Sequence, residues 1–390
     1  MSINKGSIKT LSISSAGLME AIRTLVMFHE PLSRINEHFC AWRELACHAQ
    51  ELEAYPDLMH ALTDLHTQSQ MDFERGLFCA WISYIVARKL GYEEHTCRQL
   101  FIAGLSQDIG NYLQGVNIQN YLKHSVLSID GGASRTPAGS AVNEAEPTSV
   151  DQGSQAFVSV SYFEHVFTEE TQISNMILTH HACEDGSGYP KGVNESQLTV
   201  TQQILIVANQ LCDQMAICSG YSSLDNCLPY LKVASVLYFK QVNGAFYDLI
   251  NTSCVAMGAL RSSERNSQRY KTQIHALTHL HNAALHFSAE VLTQDSLIYV
   301  SQLREKIRKL DIFVNETGVQ GFNADAHECP VDLLDFLEAF QPFLKTWLPL
   351  LDDLKREVDA ASIQSLERFE LNLRASIKSL EKPRAYSLFV

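Results

Sequence analysis

The chain has 390 residues, 46% of them hydrophobic, with a formal net charge of -14 and a pI near 5.5. That length and apolar content suffice for two or three buried cores, while the acidic balance argues against broad attraction to nucleic acid or anionic lipid. Ten cysteines lie scattered from Cys40 to Cys329 without a Cys-x-x-Cys pair, which reads as reduced thiols in a cytosolic protein rather than a disulfide framework.

Residues 1–15 are polar and lack the apolar core of a secretory signal, and no run approaches eighteen consecutive apolar residues. A cytoplasmic chain without membrane insertion is therefore expected. Apolar residues at helical spacing predict helices over 18–29 and 35–52, with Pro31 marking the break, so that residues 1–70 read as a helical N-terminal segment. A longer periodic run over 73–90 ends at Gly91, suited to a helix C-cap, and 93–105 begins the next. Residues 129–153 hold Gly131, Gly132, Gly139 and Gly153 with two prolines and no periodicity, which predicts a flexible insertion.

Helices are then predicted over 157–167, 169–179, 200–217 and 227–238. Beyond 257 the character changes. Charged helical runs cover 264–312, a polar break spans 318–330, and further helices follow over 331–355 and 360–380. Strand signals are scarce, so the expected class is all-α, divided into residues 1–70, 71–256 and a C-terminal helical module over 257–390. Phe336, Phe340, Phe343, Trp347 and Leu351 form an apolar stripe, read first as core and second as a partner face. His275, His279 and His286 share one helical sector, but Ile274, Leu277, Leu280, Ala284 and Val291 mark the opposite sector as buried. The three histidines are expected to face solvent rather than hold a metal.

The stretch richest in chemistry is His180-His181-Ala182-Cys183-Glu184-Asp185-Gly186-Ser187-Gly188-Tyr189-Pro190. Two adjacent imidazoles at a helix end are candidate metal ligands, and the glycines give backbone freedom that the proline then restricts. The run resembles the signature of the HD-GYP family, in which His-His-Glu-x-x-Asp-Gly-x-Gly-Tyr-Pro belongs to a metal-dependent cyclic di-GMP phosphodiesterase of the HD-domain superfamily. The resemblance spans about 73–249 and implies an HD-domain helical bundle with N-terminal and C-terminal helical extensions. A second family hallmark, His-Asp-Ile-Gly-Lys, is matched by Gln107-Asp108-Ile109-Gly110-Asn111 behind Leu100-Phe101-Ile102-Ala103-Gly104-Leu105. The family's opening histidine falls on Arg75, and its middle histidine near Ser154, with His165 and His124 as alternatives. The glutamate after the histidine pair falls on Ala182, and the Val-Ala-Asp aspartate on Asn209 of Val207-Ala208-Asn209.

On this resemblance Asp108, His180 and His181 are the residual metal ligands, and Arg75, Gln107, Asn111, Ser154, Ala182 and Asn209 are substituted positions. A guanidinium neither coordinates a cation nor deprotonates, and an amide is a poorer transition-metal ligand than imidazole. Loss of the binuclear site is implied: no catalytic residues and no cofactor are expected, unless one divalent ion, iron or manganese, sits on the three residual ligands. Asp213 or His165 would serve a rebuilt site. Asp185, Gly186, Ser187, Gly188, Tyr189 and Pro190, with Arg75, form the candidate ligand or partner surface; the other reading of the Gly-Tyr-Pro segment is a fold-specific turn. The implied function is a non-catalytic regulator or scaffold in bacterial cyclic di-GMP signalling. Its implied partners are a diguanylate cyclase-type or other signalling protein and the nucleotide, with a homodimer through the C-terminal helices as a further option. The alternative is an active metal-dependent cyclic di-GMP phosphodiesterase.

Overall fold

The computed structural model describes residues 12–111, 159–160, 163–164, 170–183, 188–190, 193, 195–217, 224, 227–255, 267–291, 298–317, 319, 331–356 and 360–381. Among these every regular element is helical, which establishes the all-α class. No helix among them is long and apolar enough to cross a membrane. The insertion expected at 129–153, most of the helix expected at 157–167 and nearly all of the break at 318–330 lie outside the described residues.

Helix α1 (Ser15–Phe28) starts where Ser14 Oγ accepts the Gly17 N–H at 3.1 Å, satisfying one of the free amides of the first turn. Pro31 does not form the break expected of it. The break is at His29, and Pro31 lies in the first turn of α2 (Glu30–Phe39), where its missing N–H has no helical partner to lose. The run expected as one helix over 35–52 is two, because Cys40 takes a left-handed conformation (φ 48°) and returns its N–H to Asn36 O at 2.7 Å. Helix α3 (Trp42–Glu51) and, after a short 3-10 turn, α4 (Pro56–Gln68) follow.

Helix α5 (Gln70–Lys89) is apolar on nearly every side: Phe73, Leu77, Phe78, Trp81, Ile82, Tyr84, Ile85 and Val86 are all buried. Each such side chain contributes about 1.5–3 kcal/mol by leaving water, so α5 is the axis on which neighbouring helices assemble. It is capped by Ser69 Oγ at its start. At its end Tyr92 N–H reaches Ala87 O and Gly91 N–H reaches Arg88 O, a pairing that needs the positive φ of Gly91 (82°). The C-cap expected at Gly91 is present.

Helix α6 (Glu94–Ser106) crosses α5 so closely that a Cβ on Gly104 would lie 2.5 Å from the Ala80 nitrogen. Only glycine permits this approach, and it sets the end of α6, with Gln107 and Asp108, beside Arg75 and Cys79. Helices α7 (Thr171–Thr179) and α8 (Val200–Ile217) complete this side, α8 packing against α5, α6 and α7. The N-terminal helices α1–α4 belong to the same compact unit as α5–α8.

A second compact unit holds α9 (Leu228–Leu237), α10 (Lys240–Val255), α11 (Ser267–Val291), α12 (Ile298–Thr317), α13 (Val331–Lys345), α14 (Trp347–Lys355) and α15 (Ala360–Leu380). The expected 331–355 helix is divided at Thr346, since Pro349 has no N–H to offer Lys345 O across the junction. The stripe on α13 and α14 faces inward: Phe340, Trp347 and Leu351 are buried, and Phe340 stacks on Phe313 with ring centroids 3.9 Å apart. His275, His279 and His286 are exposed, as their helical sector implied. His281, on the buried side of α11, bonds Asp311 at 2.9 Å.

Candidate functional site

Four elements of the first unit bring their side chains together at one site. Arg75 comes from the second turn of α5, Gln107 and Asp108 from the turn that ends α6, His180 and His181 from the end of α7, and Asn209 and Asp213 from α8. Gln107, Asp108, His180 and Asn209 are buried, His181 is half-buried, and Asp213 is exposed.

The Arg75 guanidinium is the hub. Its Nε–H donates to Asn209 Oδ1 at 2.8 Å, Nη2–H donates to the same oxygen, and Nη1–H donates to Asp213 Oδ1 at 2.7 Å. Arg75 Nε also stands 3.8 Å from Asp108 Oδ2. The Gln107 amide nitrogen lies 3.2 Å from both Asp108 Oδ2 and Asn209 Oδ1. Arg75 and Gln107 thus meet through Asn209 Oδ1, which accepts from both, and the glutamine bridges on to the Asp108 carboxylate.

On the other side of Asp108 is the histidine pair. His180 Nδ1–H donates to Ile177 O at 2.6 Å, which fixes the tautomer and leaves Nε2 as a lone-pair acceptor, 3.9 Å from Asp108 Oδ1. Burial holds His180 at a pKa of about 4, and burial with the neighbouring His180 does the same for His181. Both rings are therefore neutral at pH 7. Burial pushes Asp108 upward, against the pull of Arg75 and His181. His180 Nε2 and Gln107 Oε1 are buried acceptors, and His181 Nε2 a buried ring nitrogen, without a hydrogen-bond partner among the described residues.

That excess of acceptors is the chemistry of a cation site. Ligand atoms of Asp108, His180 and His181 all lie within 4.8 Å of one another, so this set fits one divalent ion. It does not fit two. Its remaining neighbours, Arg75, Gln107 and Asn209, are joined around a fixed positive charge that itself attracts Asp108.

The remaining expected positions divide as follows. Ala182 is buried beside the pair, with its N–H on Thr179 O at 2.8 Å. Asn111 lies in the 3-10 turn Ile109–Asn111. Gly188 folds back on the histidines: a Cβ there would sit 2.3 Å from His181 O, and Tyr189 N–H donates to that oxygen at 3.1 Å. Gly188 therefore has a steric duty in the turn, with Tyr189 and Pro190 half-buried after it. Asp185, Gly186, Ser187, Ser154, His124 and His165 lie outside the described residues. Sequence reasoning missed two features of the pocket wall: Asp213 acts as a partner of Arg75, and Cys79 and Cys212 meet behind it, their sulfurs 3.6 Å apart. Their helical spacing from Arg75 and Asn209, i+4 and i+3, was the available signal.

Comparison with family models, with curated proteins and with solved structures finds no match to this chain.

Proposed function

We propose that this chain is a degenerate relative of the HD-GYP phosphodiesterases that acts without catalysis, as a regulator or scaffold in bacterial cyclic di-GMP signalling, by binding a partner protein, the nucleotide or both. The observation that carries the reading is the Arg75 guanidinium held between Asn209 and Asp213 and 3.8 Å from Asp108. A hydrolytic two-ion centre needs negative or neutral donors at those places to hold a second cation and activate water. Here an immobile side-chain cation takes up the donors instead.

One divalent ion, iron or manganese, would be held by Asp108, His180 and His181, and when bound it would supply a Lewis acid. The chain's own residues hold the site together by hydrogen bonds: Gln107 orients Asp108, Ile177 O orients His180, and Asn209 ties α8 to α5. The intact Gly188-Tyr189-Pro190 segment and the helices of the second unit are the surfaces proposed for partners, including a diguanylate cyclase-type protein or a second copy through α11–α15.

The competing reading, an active phosphodiesterase with Asp213 recruited as a ligand, requires Asp213 to leave Arg75, its partner at 2.7 Å. The test is metal analysis of the purified chain combined with cyclic di-GMP hydrolysis and calorimetry. Nucleotide binding without turnover is the result expected for a nucleotide-binding regulator, and partner capture without nucleotide binding for a scaffold. Turnover in the presence of manganese or ferrous iron overturns the reading.

A further inference from the structure

Cys79 on α5 and Cys212 on α8 bring their sulfurs to 3.6 Å, in contact and away from solvent. The contact is built by the same two helices that carry the pocket. Cys79 follows Arg75 by one turn, Cys212 follows Asn209 by one turn, and the Arg75–Asn209 hydrogen bonds hold the two helices in the register that opposes the thiols. A disulfide has an S–S distance of about 2.05 Å, so closure asks the sulfurs to approach by roughly 1.5 Å, which the two side-chain torsions share. We infer that Cys79 and Cys212 are a reversible oxidation site, whose disulfide staples α5 to α8 behind the Arg75 clamp. The segment it would enclose, 80–211, contains Gln107, Asp108, His180, His181 and Asn209, so the bond would lock the pocket's components to one another. This inference does not depend on the proposed function.

The oxidant class that suits a buried pair is a small uncharged peroxide. One cysteine sulfur attacks a peroxide oxygen, forming S–O as O–O breaks, and leaves a sulfenic acid and water. The second sulfur attacks the sulfenic sulfur, forming S–S as S–O breaks, and the departing oxygen leaves as water with the thiol proton. Two thiols lose two electrons and two protons, and one hydrogen peroxide becomes two waters. Burial holds the Cys212 thiol well above its usual range, with Arg75 pulling the other way, which slows attack on peroxide and on alkylating agents alike, while the lack of access excludes the bulky reagents further.

The test is peptide mapping of the full-length folded chain, reduced, treated with hydrogen peroxide and blocked with an alkylating agent. The expected result is a Cys79–Cys212 linked peptide lacking two hydrogens, lost on reduction and absent from Cys79→Ser and Cys212→Ser. Oxidation should also raise the unfolding midpoint of the unmodified sequence and leave that of Cys79→Ser unchanged. The inference is overturned if peroxide modifies only the exposed Cys40 and Cys47, or if the linked peptide forms only after the chain has been unfolded.

Discussion

Arg75 Nε–H and Asn209 Oδ1 meet at 2.8 Å and join α5 to α8 at residues 134 positions apart in the chain. Neither residue suits the ligand role that the HD-GYP resemblance assigns to its position, yet each supplies what the other lacks. An arginine buried opposite an aspartate and an asparagine buried opposite a histidine are different structures; this pair forms a closed donor-acceptor unit, extended by Gln107 and Asp213.

Removing the hub should therefore cost stability as well as charge balance. Arg75→Met leaves Asp108 buried without its nearby cation and Asn209 Oδ1 with Gln107 as its remaining side-chain donor. A loss of about 2 kcal/mol is expected in urea denaturation. Arg75→Lys should recover only part of it, since an ammonium cannot donate in two directions across the same fork.

The double variant Arg75→His with Asn209→Asp replaces the fixed cation by two donors beside Asp108, His180 and His181. Manganese affinity measured by calorimetry should rise by about tenfold or more over the parent chain, which corresponds to about 1.4 kcal/mol. Equal affinity in the two proteins would contradict the view that Arg75 occupies the place of a cation.

Glycines at close approaches should respond oppositely to a glycine in open space. Gly104→Ala drives a Cβ to 2.5 Å from the Ala80 backbone, where neither helix can yield freely, and a cost of about 1–3 kcal/mol is expected. Gly188→Ala places a Cβ 2.3 Å from His181 O and should disturb the histidine turn, readable as a shift in the His180 and His181 ring resonances. Gly244 sits inside α10 with nothing within 4 Å of an added Cβ, so Gly244→Ala should stabilise by about 0.5–1 kcal/mol.

Stability should fall on acidification between pH 6.5 and 4. His180 and His181 are held at about 4 in the folded chain against 6.5 when unfolded, so in that window the unfolded state binds more protons and is favoured as pH drops. Asp108, shifted upward, acts in the opposite sense at the acid end. Replacing His180 by Gln should flatten the profile of melting temperature against pH over this range; an unchanged slope would remove the histidine pair as its source.

Much of the fold was legible because it rests on local signals. Helical periodicity located α5, α7, α8, α9 and α15, and Gly91 marked the end of α5 correctly. The misplaced boundaries have two causes. Pro31 and Pro349 each open a helix where an interruption or a continuous run was expected, and Cys40 ends one without glycine or proline, through a left-handed conformation that its residue type does not announce.

The sequence by itself determined the all-helical class, the buried stripe of α13 and α14, the exposed face carrying His275, His279 and His286, and which residue types stand at the candidate site. Those properties follow from spacing along one chain segment. Tertiary structure alone decided that Arg75 and Gln107 both bond Asn209, that Asp213 belongs to Arg75, and that Cys79 meets Cys212. Each of these contacts joins residues of different helices, and its geometry depends on how closely α5, α6 and α8 pack. Gly104 and the side chains of α5 set that closeness together, through sterics that periodicity does not record.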